Sequence, residues 1–86
     1  MPHALTMSRT RVAPDERAHH VARMRARKVA YAAANCRYWV FEDARVPGDF
    51  VELTEAADAA TLAHAHAAAA DPVAGAEHLL TEVELA

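Results

Sequence analysis

The chain reads as one small two-layer α+β domain with the element order β-α-β-β-α-β. Three observations predict it. Residues alternate with a strand-like period of two near both ends and in the middle. Two alanine-rich stretches, 15–34 and 59–70, contain no Gly or Pro. Between these stretches stand residues that cap helices or turn the chain.

The first strand is read over residues 4–12, where Leu5, Met7, Arg9 and Arg11 alternate with Thr6, Ser8, Thr10 and Val12. Pro14 ends it, and Asp15 is placed to cap a helix running to about Ala34. At 100° per residue, Ala18, Val21, Ala22, Val29, Ala32, Ala33 and Cys36 gather on one arc. His19, His20, Arg23 and Arg27 fall opposite, and Arg25 falls inside the apolar arc. Asn35 follows where a left-handed cap residue is needed. Residues 37–43 are dense in strand formers. Val46-Pro47-Gly48-Asp49 has the Pro-Gly pair of a type II turn, and residues 50–55 alternate again, so the two strands form a hairpin. Asp58 caps a second helix, Ala59–Ala70, stopped by Asp71-Pro72. Its inward face is read as Leu62, Ala65, His66 and Ala69, with His64 pointing away. A last strand is read from His78 to Ala86, where Leu79, Thr81, Val83 and Leu85 alternate with Leu80, Glu82 and Glu84.

This order is the split βαβ, ferredoxin-like pattern: a four-stranded antiparallel sheet, helices on one face, and spatial strand order 4-1-3-2. One side of each strand should then be uniformly apolar. Trp39 and Phe41, Val51 and Leu53, and Val83 and Leu85 are assigned to the helix-packed face. The outer face would carry Tyr38, Val40, Phe50, Glu52, Leu80, Leu5 and Met7, which is too apolar to be left in water.

Bulk composition sharpens this. The 86 residues form a single domain, 1–86. Of the 53% that are hydrophobic, 23 residues are alanine and none is Ile. A chain this short buries only about 60% of its unfolded surface, so its own core is thin and a second copy is expected on the outer face. The net charge is −3, but all nine Lys and Arg lie in residues 1–45, and eight acids with no Lys or Arg fill 46–86. That balance argues against nucleic acid as a partner. The longest uncharged stretch, 59–70, is too short and weakly apolar for a membrane span. With no signal pattern and a single cysteine, a cytoplasmic location is expected.

The segment Trp39-Val40-Phe41-Glu42, then Pro47-Gly48-Asp49-Phe50-Val51-Glu52, then Asp58-Ala59-Ala60-Thr61-Leu62 resembles the dimeric α+β barrel superfamily. That group includes antibiotic-biosynthesis-monooxygenase-like and NIPSNAP-like small proteins. The resemblance covers nearly the whole chain. It implies a homodimer joined through the outer sheet faces, with a small apolar pocket between sheet and helices. Where the monooxygenase-like group often carries a His, this chain has Ala65 between His64 and His66.

Candidate chemistry is sparse. His19/His20 and His64/His66 are spaced by one and two residues, so neither pair converges on a helix face, and no metal is expected. Cys36 at a helix C-terminus is at the wrong end of the dipole for a thiolate nucleophile. His66 is the only inward His, as a catalytic residue or as a packing residue. Arg25 could bind an anionic ligand or snorkel to the helix edge. Trp39 and Phe41 could stack on an aromatic ligand or simply fill the core. Arg25, Trp39, Phe41 and His66 are therefore the expected pocket residues. By resemblance the pocket would suit a small aromatic or polyketide-like compound in cofactor-free oxygenation or isomerisation. A non-catalytic dimeric binding module is the alternative. A haem-binding relative, with His66 as axial ligand, is the third reading.

Overall fold

A computed structural model describes residues 2–86. Strand β1 spans Ala4–Arg11. A 3-10 turn at Pro14–Glu16 leads into helix α1, Arg17–Ala33. Strands β2, Arg37–Glu42, and β3, Asp49–Ala56, form the hairpin. Helix α2 is Ala59–Ala68, and β4 is reduced to Leu80–Thr81. The four strands make one antiparallel sheet in the order β2-β3-β1-β4, so β2 and β4 are its edges.

Local signals set most boundaries. Asp58 accepts a 2.7 Å hydrogen bond from the Thr61 backbone N–H and caps α2. Asn35 takes a φ of 63° and closes α1: the Cys36 N–H reaches back to the Tyr31 carbonyl and the Asn35 N–H to Ala32. This is a Schellman closure with Asn in the place usually held by Gly. Asp15 does not cap α1. It lies inside the 3-10 turn, and the helix starts at Arg17 with no side-chain cap.

The turn between β2 and β3 depends on Gly48, whose φ is +88°. The Asp49 N–H bonds the Val46 carbonyl across it, and the Val12 N–H bonds the Gly48 carbonyl at 2.7 Å. A Cβ on Gly48 would sit 2.2 Å from the Val12 carbonyl oxygen. Gly48→Ala combines left-handed strain with a backbone clash, so thermal unfolding should show a loss of about 1–3 kcal/mol. An unchanged Tm would contradict the turn geometry.

The two sheet faces are reversed from the expected assignment on β2 and β3. The helix-packed side carries Ala4, Thr6 and Ser8 of β1, Phe50, Glu52, Thr54 and Ala56 of β3, and Tyr38 and Val40 of β2. Trp39, Phe41, Val51 and Leu53 lie on the outer side with Leu5, Met7 and Leu80. Phe41 is 57% exposed and Met7 59%. Val83 and Leu85 lie beyond β4 and are exposed. The cause is on α1. Its buried residues are His20, Met24, Arg27 and Tyr31, whereas Arg25 and Val29 face solvent. These four lie within about 60° of one another at 100° per residue. They include the two bulkiest apolar side chains of the helix, and buried area follows size rather than the number of alanines. Arg27 then needs a carboxylate beneath it, and Glu52 is that carboxylate.

The apolar core is thin, as expected. One cluster joins Ala4, Tyr31, Cys36, Ala56, Leu62, Ala65 and Val73. A smaller one joins Val12, Met24 and Phe50. Helix α2 turns Leu62, Ala65 and His66 inward and leaves His64 exposed, as its spacing indicates. Among the described residues no helix is long and apolar enough to cross a membrane.

Candidate functional site

Three places bring polar or aromatic side chains together. The first is an ionic cluster between α1 and the sheet. Arg27 donates to Glu52 at 2.7 Å, and both side chains are more than nine-tenths buried. Tyr38 donates its phenol hydrogen to the same carboxylate oxygen. Burial, then that hydrogen bond, pushes the Tyr38 phenol well above its ordinary value. Arg27 also donates to the Asp71 carbonyl at 2.9 Å and to its carboxylate at 3.2 Å. Arg23 grips Asp71 in a two-point pair, 2.9 Å for each bond. Asp71, held mainly by Arg23, drops to about 2. The hydroxyls of Ser8 and Thr54 and Nε2 of His20 are buried here without a protein partner. Ser8 stands directly across the ladder from Glu52, and the His20 ring stacks on Phe50. Buried polar atoms of this kind are normally satisfied, so the region has spare hydrogen-bonding capacity.

The second is His66. Its Nδ1 lies 2.7 Å from the Tyr31 hydroxyl and its Nε2 2.9 Å from the Thr6 hydroxyl. The Tyr31 oxygen accepts from the Val73 N–H at 3.3 Å. One ring nitrogen donates to the hydroxyl beside it and the other accepts from its own, so both contacts are made in either tautomer. Burial pushes the imidazole below its ordinary value, keeping it neutral. Both ring nitrogens are thus engaged in tying α2 to α1 and β1. That is the chemistry of a packing residue, and it leaves neither nitrogen free as a base or an axial ligand.

The third is a cleft of about 420 Å³ between α1 and the edge strand β2. Val21, Met24, Tyr38 and Val40 line it with Arg25, Lys28, Trp39 and Phe41. Three of the four expected pocket residues, Arg25, Trp39 and Phe41, therefore meet, but on an open groove rather than under the helices. His66 is not among them. The sequence reading missed Arg27, Glu52, Tyr31 and Tyr38. The signal was present in the spacing of Met24 and Tyr31, seven residues apart and only about 20° apart around the helix.

Cys36 is buried, and burial pushes its thiol up, away from thiolate reactivity. Among the described residues no three of His, Cys, Asp and Glu are placed to hold one ion. Comparison with protein-family models, curated proteins and solved structures finds no match to this chain.

The buried imidazoles and paired carboxylates make stability depend on pH in two windows. Burial pushes His20 and His66 below the ordinary value of 6.5. The unfolded chain then binds their protons at higher pH than the folded one, so stability is lost as pH falls below about 6.5. Asp71 and Glu42, paired with Arg23 and Arg17, stand at about 2 against ordinary values of 3.8 and 4.5. Their contribution is present above about 4.5 and is lost as pH falls toward 2. Thermal melts from pH 8 to pH 2 should show both declines. His66→Gln should flatten the upper one; an unchanged upper decline would place its origin elsewhere.

Proposed function

We propose that the protein is a non-catalytic homodimeric binding module, a ferredoxin-like chain that pairs as a dimeric α+β barrel. One observation carries this reading. The outer sheet face holds Leu5, Met7, Trp39, Phe41, Val51, Leu53 and Leu80 in adjacent register rows, with Arg9, Arg37 and Glu55 sharing the outer two of these rows and no strand or helix of the same chain over them. Trp39, Leu53 and Met7 lie side by side across three strands, and Phe41 and Val51 form the next row, which ends in Arg9. A contiguous apolar patch of this kind on a small protein marks an interaction surface. The flat face of one sheet is matched in shape and polarity by the same face of another copy. Light scattering at micromolar concentration should give about twice 9.3 kDa; a clean monomer would overturn the reading.

The catalytic alternative is supported less well, because His66 is engaged at both nitrogens. A second reading rests on the meeting of Arg25 with Trp39 and Phe41: a small aromatic anion in the α1–β2 cleft. Trp39 is the only tryptophan. Its fluorescence should be quenched saturably by such a compound, and less so in Arg25→Ala.

A further inference from the structure

The open edge of β2 has three properties that one kind of occupant satisfies together. We propose that an acidic, extended segment of another protein adds to β2 as a further strand, along the cleft beside α1. The inference goes beyond the homodimer reading and does not rest on it, since the edge belongs to a single copy.

The first property is backbone. β2 pairs only with β3, through six unbroken register pairs. The Asp43 N–H bonds the Asp49 carbonyl. In antiparallel alternation the backbone groups of Phe41 and Trp39 then also point to β3, and those of Tyr38 and Val40 point outward without a strand partner. Edges are normally blunted by Pro, Lys, a bulge or an inward charge. Tyr38-Trp39-Val40-Phe41 has none of these. The other sheet edge, β4, is two residues long, too short to pair along it from a partner copy. The second property is an apolar wall. Val21 and Met24 of α1 face Tyr38 and Val40 across the cleft of about 420 Å³ beside this edge. The third is charge. Arg25 and Lys28 also line the cleft, both exposed, and among the described residues neither has a carboxylate within ion-pair distance. The other three arginines of α1, Arg17, Arg23 and Arg27, all do.

These properties separate the candidate occupants. A small anion answers the two cations and leaves the backbone groups unpaired. A second copy joined edge to edge about a two-fold axis sets its own Arg25 and Lys28 against these, like charge on like. An acidic strand pairs the backbone, lays its apolar side chains beside Trp39 and Phe41, and turns its carboxylates to Arg25 and Lys28. The spacing fits. Helix residues three apart carry their Cβ atoms about 5–6 Å from each other, and alternate side chains of a strand repeat at about 7 Å. Backbone bonds supply affinity, and the cations select the partner.

The test uses the intact chain and a blocked synthetic peptide alternating Glu with Val, followed by the fluorescence anisotropy of a dye on the peptide. Binding should be saturable, and amide hydrogen exchange at Tyr38 and Val40 should slow. N-methylation of one alternate set of peptide amides should abolish binding, and N-methylation of the other set should leave it unchanged, because only one set faces β2. Arg25→Glu with Lys28→Glu should weaken binding by about tenfold or more, and a peptide alternating Lys with Val should bind that variant instead. Equal binding of the two N-methylated peptides would reduce the contact to charge alone and overturn the added strand. No binding of the acidic peptide, with saturable binding of a small aromatic acid, would give the cleft to a free ligand and overturn it. Protection of the Tyr38 and Val40 amides by self-association would give the edge to a second copy and overturn it as well. A monomeric wild type that binds the peptide would overturn the homodimer reading and leave this inference standing.

Discussion

Arg27→Ala costs this domain about 3–5 kcal/mol, because it leaves the Glu52 carboxylate buried without its cation. At about 0.05–0.15 kcal/mol per residue, a chain of 86 residues has only about 4–13 kcal/mol in total. The variant therefore loses at least about a quarter of the domain's stability. The pair is not simply an attraction between two charges. Arg27 spans α1, Glu52 of β3 and Asp71 beyond α2, and Tyr38 closes the carboxylate from β2. Removing the cation strands Glu52 and frees the Asp71 backbone carbonyl, while Arg23 keeps its grip on both carboxylate oxygens. Arg27→Met with Glu52→Gln should be less damaging than Arg27→Met alone, since the uncompensated charge is then gone. Urea denaturation of the three variants checks this ordering. A single variant as stable as wild type would mean that the cluster bears no part of the fold's stability.

The second large effect falls on assembly. Leu53 sits at the middle of the outer face, flanked by Trp39 on β2 and Met7 on β1. Leu53→Arg places an unpaired charge where the proposed interface is driest. Desolvating that charge costs several kcal/mol, and a dimer dissociation constant should rise by about a thousandfold, equivalent to about 4 kcal/mol. Sedimentation should then show a species of 9.3 kDa. The same variant should keep its far-ultraviolet circular dichroism, because Leu53 points away from α1 and α2. A Leu53→Arg protein that still dimerises would locate the interface elsewhere.

The order of the elements was legible because it rests on local chemistry. Asn35, Gly48 and Asp58 each do what their own backbone position requires, whatever packs around them. The facing of the elements was not, because it rests on pairing across the fold. Glu52 reads as solvent-facing until Arg27 is known to lie above it. Arg27 reads as solvent-facing so long as small alanines outvote Met24 and Tyr31 in placing the helix. With the helix so turned, Trp39 and Phe41 read as core residues, whereas Tyr31, Tyr38 and Phe50 fill the core. His66 was placed inward correctly from its spacing with Leu62. Its saturation by Thr6 and Tyr31 could not be read, since Thr6 lies sixty residues away. The candidate cleft was half legible: Arg25, Trp39 and Phe41 do meet, but as a groove at a sheet edge.

The hold on Asp71 has a consequence for how the molecule opens. Asp71 is the ionic tie between α1 and the segment after α2, beside the Val73 N–H bond to Tyr31, and residues 46–86 contain no Lys or Arg of their own. Local release of this segment is therefore invisible to trypsin, whose cleavage sites all lie in residues 1–45. A glutamate-specific protease sees it at Glu77, Glu82 and Glu84. The two enzymes thus separate fraying of the C-terminal segment from unfolding of the whole domain.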